Sequence, residues 1–155
     1  MDNPKVILKQ QILTGINYIS QLLDSLKDTP ELVLYTPTDG SRKMGDILLH
    51  ILRALEYYLV GVTSDSWIPL KYSLETYDSF KKITQLLESR QDDYTGMIEK
   101  IDGDNLHHKY TTLQSQAFGL NLIIELLYHQ SHHFGQLQMY LRLNGINPPH
   151  YEFLV

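Results

Sequence analysis

Apolar residues recur at intervals of three and four along four stretches of the chain, and that spacing predicts four amphipathic helices. The first carries Leu8, Ile12, Ile16, Ile19, Leu23 and Leu26. It starts at Pro4, with Asn3 or Asp2 placed to cap it, and stops before Pro30, because proline disfavours helical geometry in the residue ahead of it. The second opens after a Ser41 cap and runs to about Gly61 on the line Ile47, His50, Ala54, Tyr57 and Gly61. The third runs from about Leu74 to Ile101 through Phe80, Ile83, Leu87, Tyr94 and Ile98, mildly weakened by Gly96, and stops at Asp102-Gly103. The last begins near Ser115 and ends at Asn144-Gly145, ahead of Pro148-Pro149. Its line is Leu122, Leu126, His129, His133, Gln136 and Tyr140.

No strand pattern of comparable strength competes, so the expectation is an all-α four-helix bundle forming one domain over residues 1–155. The connection from Glu31 to Gly40 carries Pro37 and the turn pair Asp39-Gly40, and would pack Leu32, Leu34 and Tyr35 over one end. The connection from Val62 to Tyr72 holds Trp67 and Pro69. At ~3.3 Å per extended residue it can cross the length of a bundle, which permits the second and third helices to run parallel. Arg53 and Glu56 lie off the His50 direction and are expected on a solvated face, as is the His107-His108 pair in its polar connection. The tail from His150 to Val155 is apolar enough to dock on the bundle.

Two of these helical lines carry histidines where leucines would serve packing better. His129 and His133 are four apart and share a helix face. His50 occupies the matching place on the second line. Each imidazole in place of leucine forfeits about 1.5–3 kcal/mol of apolar burial, so the three require a partner, and a divalent metal ion is the strongest one. The competing reading is three separate hydrogen-bonded core histidines. A zincin would need glutamate directly after the first histidine, where Gln130 stands, and a di-iron bundle would need paired Glu-x-x-His elements. Gln136 and Tyr140, one and two turns beyond His133, could orient a ligand, while His132 points away from the pair.

Composition narrows the rest. With 13 basic against 18 acidic residues and a formal charge of −5, the chain has no basic stripe for phosphates, which argues against nucleic acid and against an anionic membrane surface. There is no cysteine, which excludes thiolate ligands and a cysteine nucleophile; any reactive thiol must arrive with a ligand. No signal pattern opens the chain and no apolar run approaches the ~20 residues of a membrane span, so the cytoplasm is the expected compartment.

His50 within Met44-Gly-Asp-Ile-Leu-Leu-His50, followed by His129-Gln-Ser-His-His133-Phe-Gly-Gln136-Leu and Leu141-Arg-Leu-Asn-Gly145, resembles the DinB-like family (DinB/YfiT type) of damage-inducible bacterial four-helix proteins. The resemblance spans nearly the whole chain and departs from the pattern at Phe134, where arginine is common. It implies a long crossover between helices two and three and a homodimer. It also implies one divalent transition metal, nickel or zinc with iron or manganese as alternatives, on His50, His129 and His133. Relatives include transferases that join low-molecular-weight thiols to electrophiles and mycothiol-dependent isomerases. Two classes of function follow. One is a metal-dependent enzyme that transfers a thiol, or water, to a small-molecule substrate; the other is a non-catalytic metal-binding or stress-response helical protein.

Overall fold

The computed structural model describes residues 3–151. Helix α1 spans Pro4–Asp24 and is capped by Asn3, whose Oδ1 accepts the Lys5 N–H at 3.0 Å; Asp2 lies outside the described residues. A short 3-10 turn, Pro30–Leu34, follows and buries Val33, while Leu34 faces solvent. Helix α2 is Met44–Ser64, α3 is Phe80–Lys100, α4 is the single turn Gly103–His107, and α5 is Gly119–Leu143. Strands β1 (Lys109–Thr111) and β2 (Gln116–Phe118) pair antiparallel as a small hairpin with Tyr110 opposite Ala117.

Helix directions follow from cross-contacts. Lys9 reaches the Glu99 carbonyl and Gln91 reaches Ser20, so α1 and α3 are antiparallel. Gly45 lies against Ile83 and Glu56 against Arg90, so α2 and α3 are parallel. His50 meets His129 while Tyr140 reaches Arg42, so α5 runs against α2. The bundle is thus up-down-down-up, and residues 65–79 form the crossover that returns the chain along its length.

Four expectations are corrected at element ends and in the connections. Ser41 does not cap α2. Its Oγ pairs with Thr38 Oγ1 at 2.6 Å in the turn around Gly40, and Lys43 stands at the helix start without a side-chain cap. Helix α3 begins six residues after Leu74, because Ser73 to Tyr77 closes a turn on itself and Ser79 supplies the cap. Helix α5 begins after Ser115 because Thr112 Oγ1 accepts the Gln114 and Ser115 N–H groups and closes the hairpin. The hairpin itself, three residues per strand, is too short to leave a period-two signature in the sequence. It is tied to the end of α2 by Tyr110 and Asn105, which both donate to the Val62 carbonyl, at 2.7 and 3.1 Å.

Helix α2 is the centre of the packing. Twelve of its 21 residues are buried, so although its length and hydropathy would suffice to cross a membrane, contrary to the sequence expectation, it is the core helix here. Gly61 is required where it is, since a Cβ there would enter the Trp67 ring of the crossover. Tyr151 packs on Tyr18 and Phe134, whose ring centroids lie 4.7 and 5.1 Å away, so the described start of the tail docks on α1 and α5; residues 152–155 lie outside the described residues.

Glu56 overturns the expected solvated face. Its carboxylate is buried, and it accepts from Arg90 Nη2 at 2.6 Å and Nε at 3.0 Å, from Tyr72 Oη at 2.8 Å and from Tyr94 Oη at 3.2 Å. Burial, reinforced by the carboxylate, pushes the Tyr94 hydroxyl well above its ordinary range. Removing one member of a buried pair leaves an uncompensated charge, so Arg90→Ala should cost about 3 kcal/mol, the lower end for such pairs because Arg90 keeps some solvent. Urea unfolding measures it. The double variant Glu56→Leu/Arg90→Ala should recover part of that loss by removing the unpaired carboxylate, whereas a purely packing role for Arg90 predicts no recovery.

Candidate metal centre between two cavities

Three imidazoles converge from two helices. His50 comes from the middle of α2, and His129 and His133 from successive turns of α5. The ring centroids form a nearly equilateral triangle of 4.7, 4.8 and 4.5 Å, and the candidate ligand atoms all lie within 4.8 Å of one another. His50 Nε2 and His129 Nε2 approach to 2.8 Å. Two Zn–N bonds of ~2.0–2.1 Å at a tetrahedral angle would place their nitrogens about 3.3 Å apart, so a spread of about half an ångström would admit an ion. The three neutral nitrogens are a donor set that suits first-row divalent metals.

The rings sit on the shoulder of the core, which differs from the expected buried seam. The core line of α5 is Leu122, Leu126, Gln130, Leu137 and Leu141, about 70° around the helix from His129, His133, Gln136 and Tyr140 at ~100° per residue. His133 is buried, while His50, His129, Gln136 and Tyr140 are half-buried. Gln130, used in the sequence only to exclude a zincin, is the polar residue that truly occupies a leucine position. It packs so closely on α1 that a Cβ at Gly15 would stand 2.8 Å from its Oε1. Neither polar atom of its amide has a hydrogen-bond partner among the described residues.

Hydrogen bonds fix how each ring faces. Gln136 Oε1 accepts from His133 Nδ1–H at 2.7 Å, which leaves His133 Nε2 as the ligand atom, and Gln136 Nε2 donates to His132 Nε2 at 3.2 Å. Arg53 corrects a second expectation: it is no solvated bystander, but donates from Nη2 to His50 Nδ1 at 2.7 Å and from Nη1 to the Tyr72 carbonyl at 3.2 Å. A guanidinium can only donate, so His50 Nδ1 accepts and its Nε2–H points at His129 Nε2. The proton of His129 then lies on Nδ1, which is buried without a partner among the described residues. For a neutral His50 to hold an ion through Nε2, its proton must move to Nδ1, so the Arg53 contact at that atom would have to give way on loading.

His107 and His108 lie outside this group, His107 bonded to the Gly103 carbonyl and His108 edge-on to Tyr110. Tyr140 donates to the Arg42 carbonyl at 3.0 Å. Phe134 is a core residue, edge-on to Tyr18. Two cavities reach the same rings. One of about 370 Å³ is walled by Tyr57, Tyr58, Leu70 and Leu113, with Arg53 and Glu125 at its polar edge; the other, about 470 Å³, is walled by Arg42, His132, Gln136 and Tyr140; His50 and His129 line both. Neither Arg42 nor Glu125 carries a helical or motif signal that would mark it in the sequence.

The fold is that of the DinB-like proteins. The chain superposes on a DinB-like protein of Bacillus subtilis, YjoA, with a TM-score of 0.78 at 17% identity, covering 96% of this chain and 99% of the other. It superposes on a DinB-like protein of Bacillus cereus with a TM-score of 0.73 at 19% identity, covering 94% and 95%. No protein-family model matches the sequence, and no curated protein matches it.

Burial, then the charges of the neighbouring rings, Arg53 and Arg42, holds His50 far below its ordinary 6.5, at about 3. Burial and the adjacent histidines hold His129 at about 4, and burial lowers His133. Folded rings that titrate below the unfolded value bind fewer protons than the unfolded chain as pH falls. Their contribution to stability is therefore complete above about 6.5 and is lost progressively towards pH 4 and 3. In metal-free protein the urea midpoint should fall through this window, and His129→Gln should make the fall shallower. An unchanged slope in the variant would show that the acid sensitivity comes from elsewhere.

Proposed function

We propose that the protein binds one divalent transition-metal ion per chain through His50, His129 and His133 and transfers a low-molecular-weight thiol, or water, to a small electrophilic substrate. One observation carries the reading: three imidazoles turn their nitrogens toward a common point that two cavities reach. A structural metal site is closed by its protein ligands, whereas a catalytic one keeps a position open. A metal store or sensor would have no use for chambers on both sides of the rings. Imidazole donors favour nickel or zinc, with iron or manganese as further possibilities.

When bound, the ion would act as a Lewis acid that lowers the pKa of a thiol or water and holds it as the nucleophile. The chain's own residues do the rest. Gln136 holds the His133 ring in place, and Tyr57, Tyr58 and Leu70 wall the electrophile's chamber. In the transfer the thiol gives up its proton to solvent, its sulfur bonds to the electrophilic carbon, and the leaving group departs with its electron pair. No oxidant or reductant is involved.

Elemental analysis of protein purified without an affinity tag should find stoichiometric metal, lost in the His50→Ala, His129→Ala and His133→Ala variants. Metal-loaded protein given a panel of small thiols and a chromogenic chloronitroarene should turn over faster than the His133→Ala variant. Full occupancy in the triple variant would refute the ligand assignment. Equal rates with every thiol and with water alone would leave metal binding as the function.

The same reading includes a homodimer. Leu120, Ile124, Tyr128, Met139 and Leu143 expose an apolar stripe along the outer face of α5, and Gly135 within it leaves room for a close neighbour. Light scattering should give twice the 18.0 kDa chain mass, and Tyr128→Arg/Met139→Glu should return it to the single-chain mass. A single-chain mass for the unaltered protein would refute the dimer.

A further inference from the structure

Resting on the thiol-transfer reading, we infer that the larger cavity recognises the anionic tail of the thiol through Arg42 and His132, so that the preferred co-substrate is a thiol carrying a carboxylate or sulfonate a few bonds from sulfur.

The two chambers beside the histidines differ in charge. The smaller one is lined by one cation, Arg53, and one carboxylate, Glu125, so its charges balance and an anionic tail has no unmatched partner there. None of the nine residues lining the larger chamber is acidic, in a chain where acids outnumber bases 18 to 13. Arg42 stands there without an ion-pair partner among the described residues.

The local backbone holds that cation in position. Tyr140 on α5 donates to the Arg42 carbonyl, and Met44 N–H bonds to the Tyr35 carbonyl, so the stretch that carries Arg42 is anchored on both sides. His132 is turned toward the chamber by Gln136, whose Nε2 donates to His132 Nε2 while its Oε1 holds His133. One amide therefore links a candidate ligand ring to a tail-binding ring. A guanidinium with free donors is the chemistry that selects a carboxylate or sulfonate over a neutral group of the same size.

The test uses cobalt-loaded protein, where a coordinated thiol produces a thiolate-to-metal charge-transfer band that reports binding without turnover. The probes are mercaptoethanesulfonate, whose sulfonate is a poor metal ligand, and neutral mercaptoethanol. The sulfonate thiol should bind about tenfold more tightly, the typical worth of one charge-assisted contact. Arg42→Gln should remove most of that preference, Arg42→Lys should keep most of it, and the mercaptoethanol affinity should stay the same in both. Equal affinities in the unaltered protein, or a preference that survives Arg42→Gln combined with His132→Gln, would overturn the inference while leaving thiol binding intact. A band with neither probe would instead overturn the thiol-transfer reading, and this inference with it.

Discussion

The buried carboxylate of Glu56 is the constraint on which the rest of the structure turns. A charge in that position is tolerable only if several donors surround it, and the three donors come from two segments: Arg90 and Tyr94 on α3 and Tyr72 on the crossover. Meeting that requirement fixes α3 parallel to α2 and pins the crossover to the bundle. It also reaches the histidines. Tyr72 gives its hydroxyl to Glu56 and its carbonyl to Arg53, and Arg53 in turn donates to His50. A continuous set of polar contacts thus runs from a helix-pairing ion pair to the ring that meets His129.

The three histidines form a group that could hold a metal ion. Three neutral imidazoles crowd within 4.8 Å of one another, and burial with mutual repulsion keeps them unprotonated well below neutral pH. Coordination requires that state of imidazole. Their position on the shoulder of the core, neither in its centre nor on the surface, lets two cavities reach them while α2 and α5 hold them rigidly from behind. A centre placed fully on the leucine line would have been inaccessible; one placed further round would have been hydrated and loosely held.

Likeness of fold does not by itself carry likeness of chemistry. At 17 and 19% identity the superposition on two DinB-like proteins establishes the backbone plan. Function lives in sites grafted on such plans. The side chains around the histidines are Arg42 and His132 at one chamber and Arg53 with Glu125 at the other, while Phe134 packs into the core on Tyr18.

Periodicity, capping chemistry and composition are local properties, and they determined a good deal by themselves. Ile12, Ile16, Ile19 and Leu23 announce α1, Asn3 and Pro4 its start, Gly145 and the prolines after it the end of α5, and the interval between His129 and His133 their shared face. The absence of cysteine is likewise complete in the sequence. The hairpin was not legible, because three residues per strand are too few to show a period, nor was the start of α3, which a turn at Ser73 to Tyr77 delays. Only tertiary structure decided how far each helix rotates about its axis, since a three-four spacing fits two neighbouring faces about 70° apart equally well. That rotation put Gln130 in the core and the histidines on its edge. It also turned Glu56 inward, because its partner Arg90 lies 34 positions along the chain and no short window of sequence contains both.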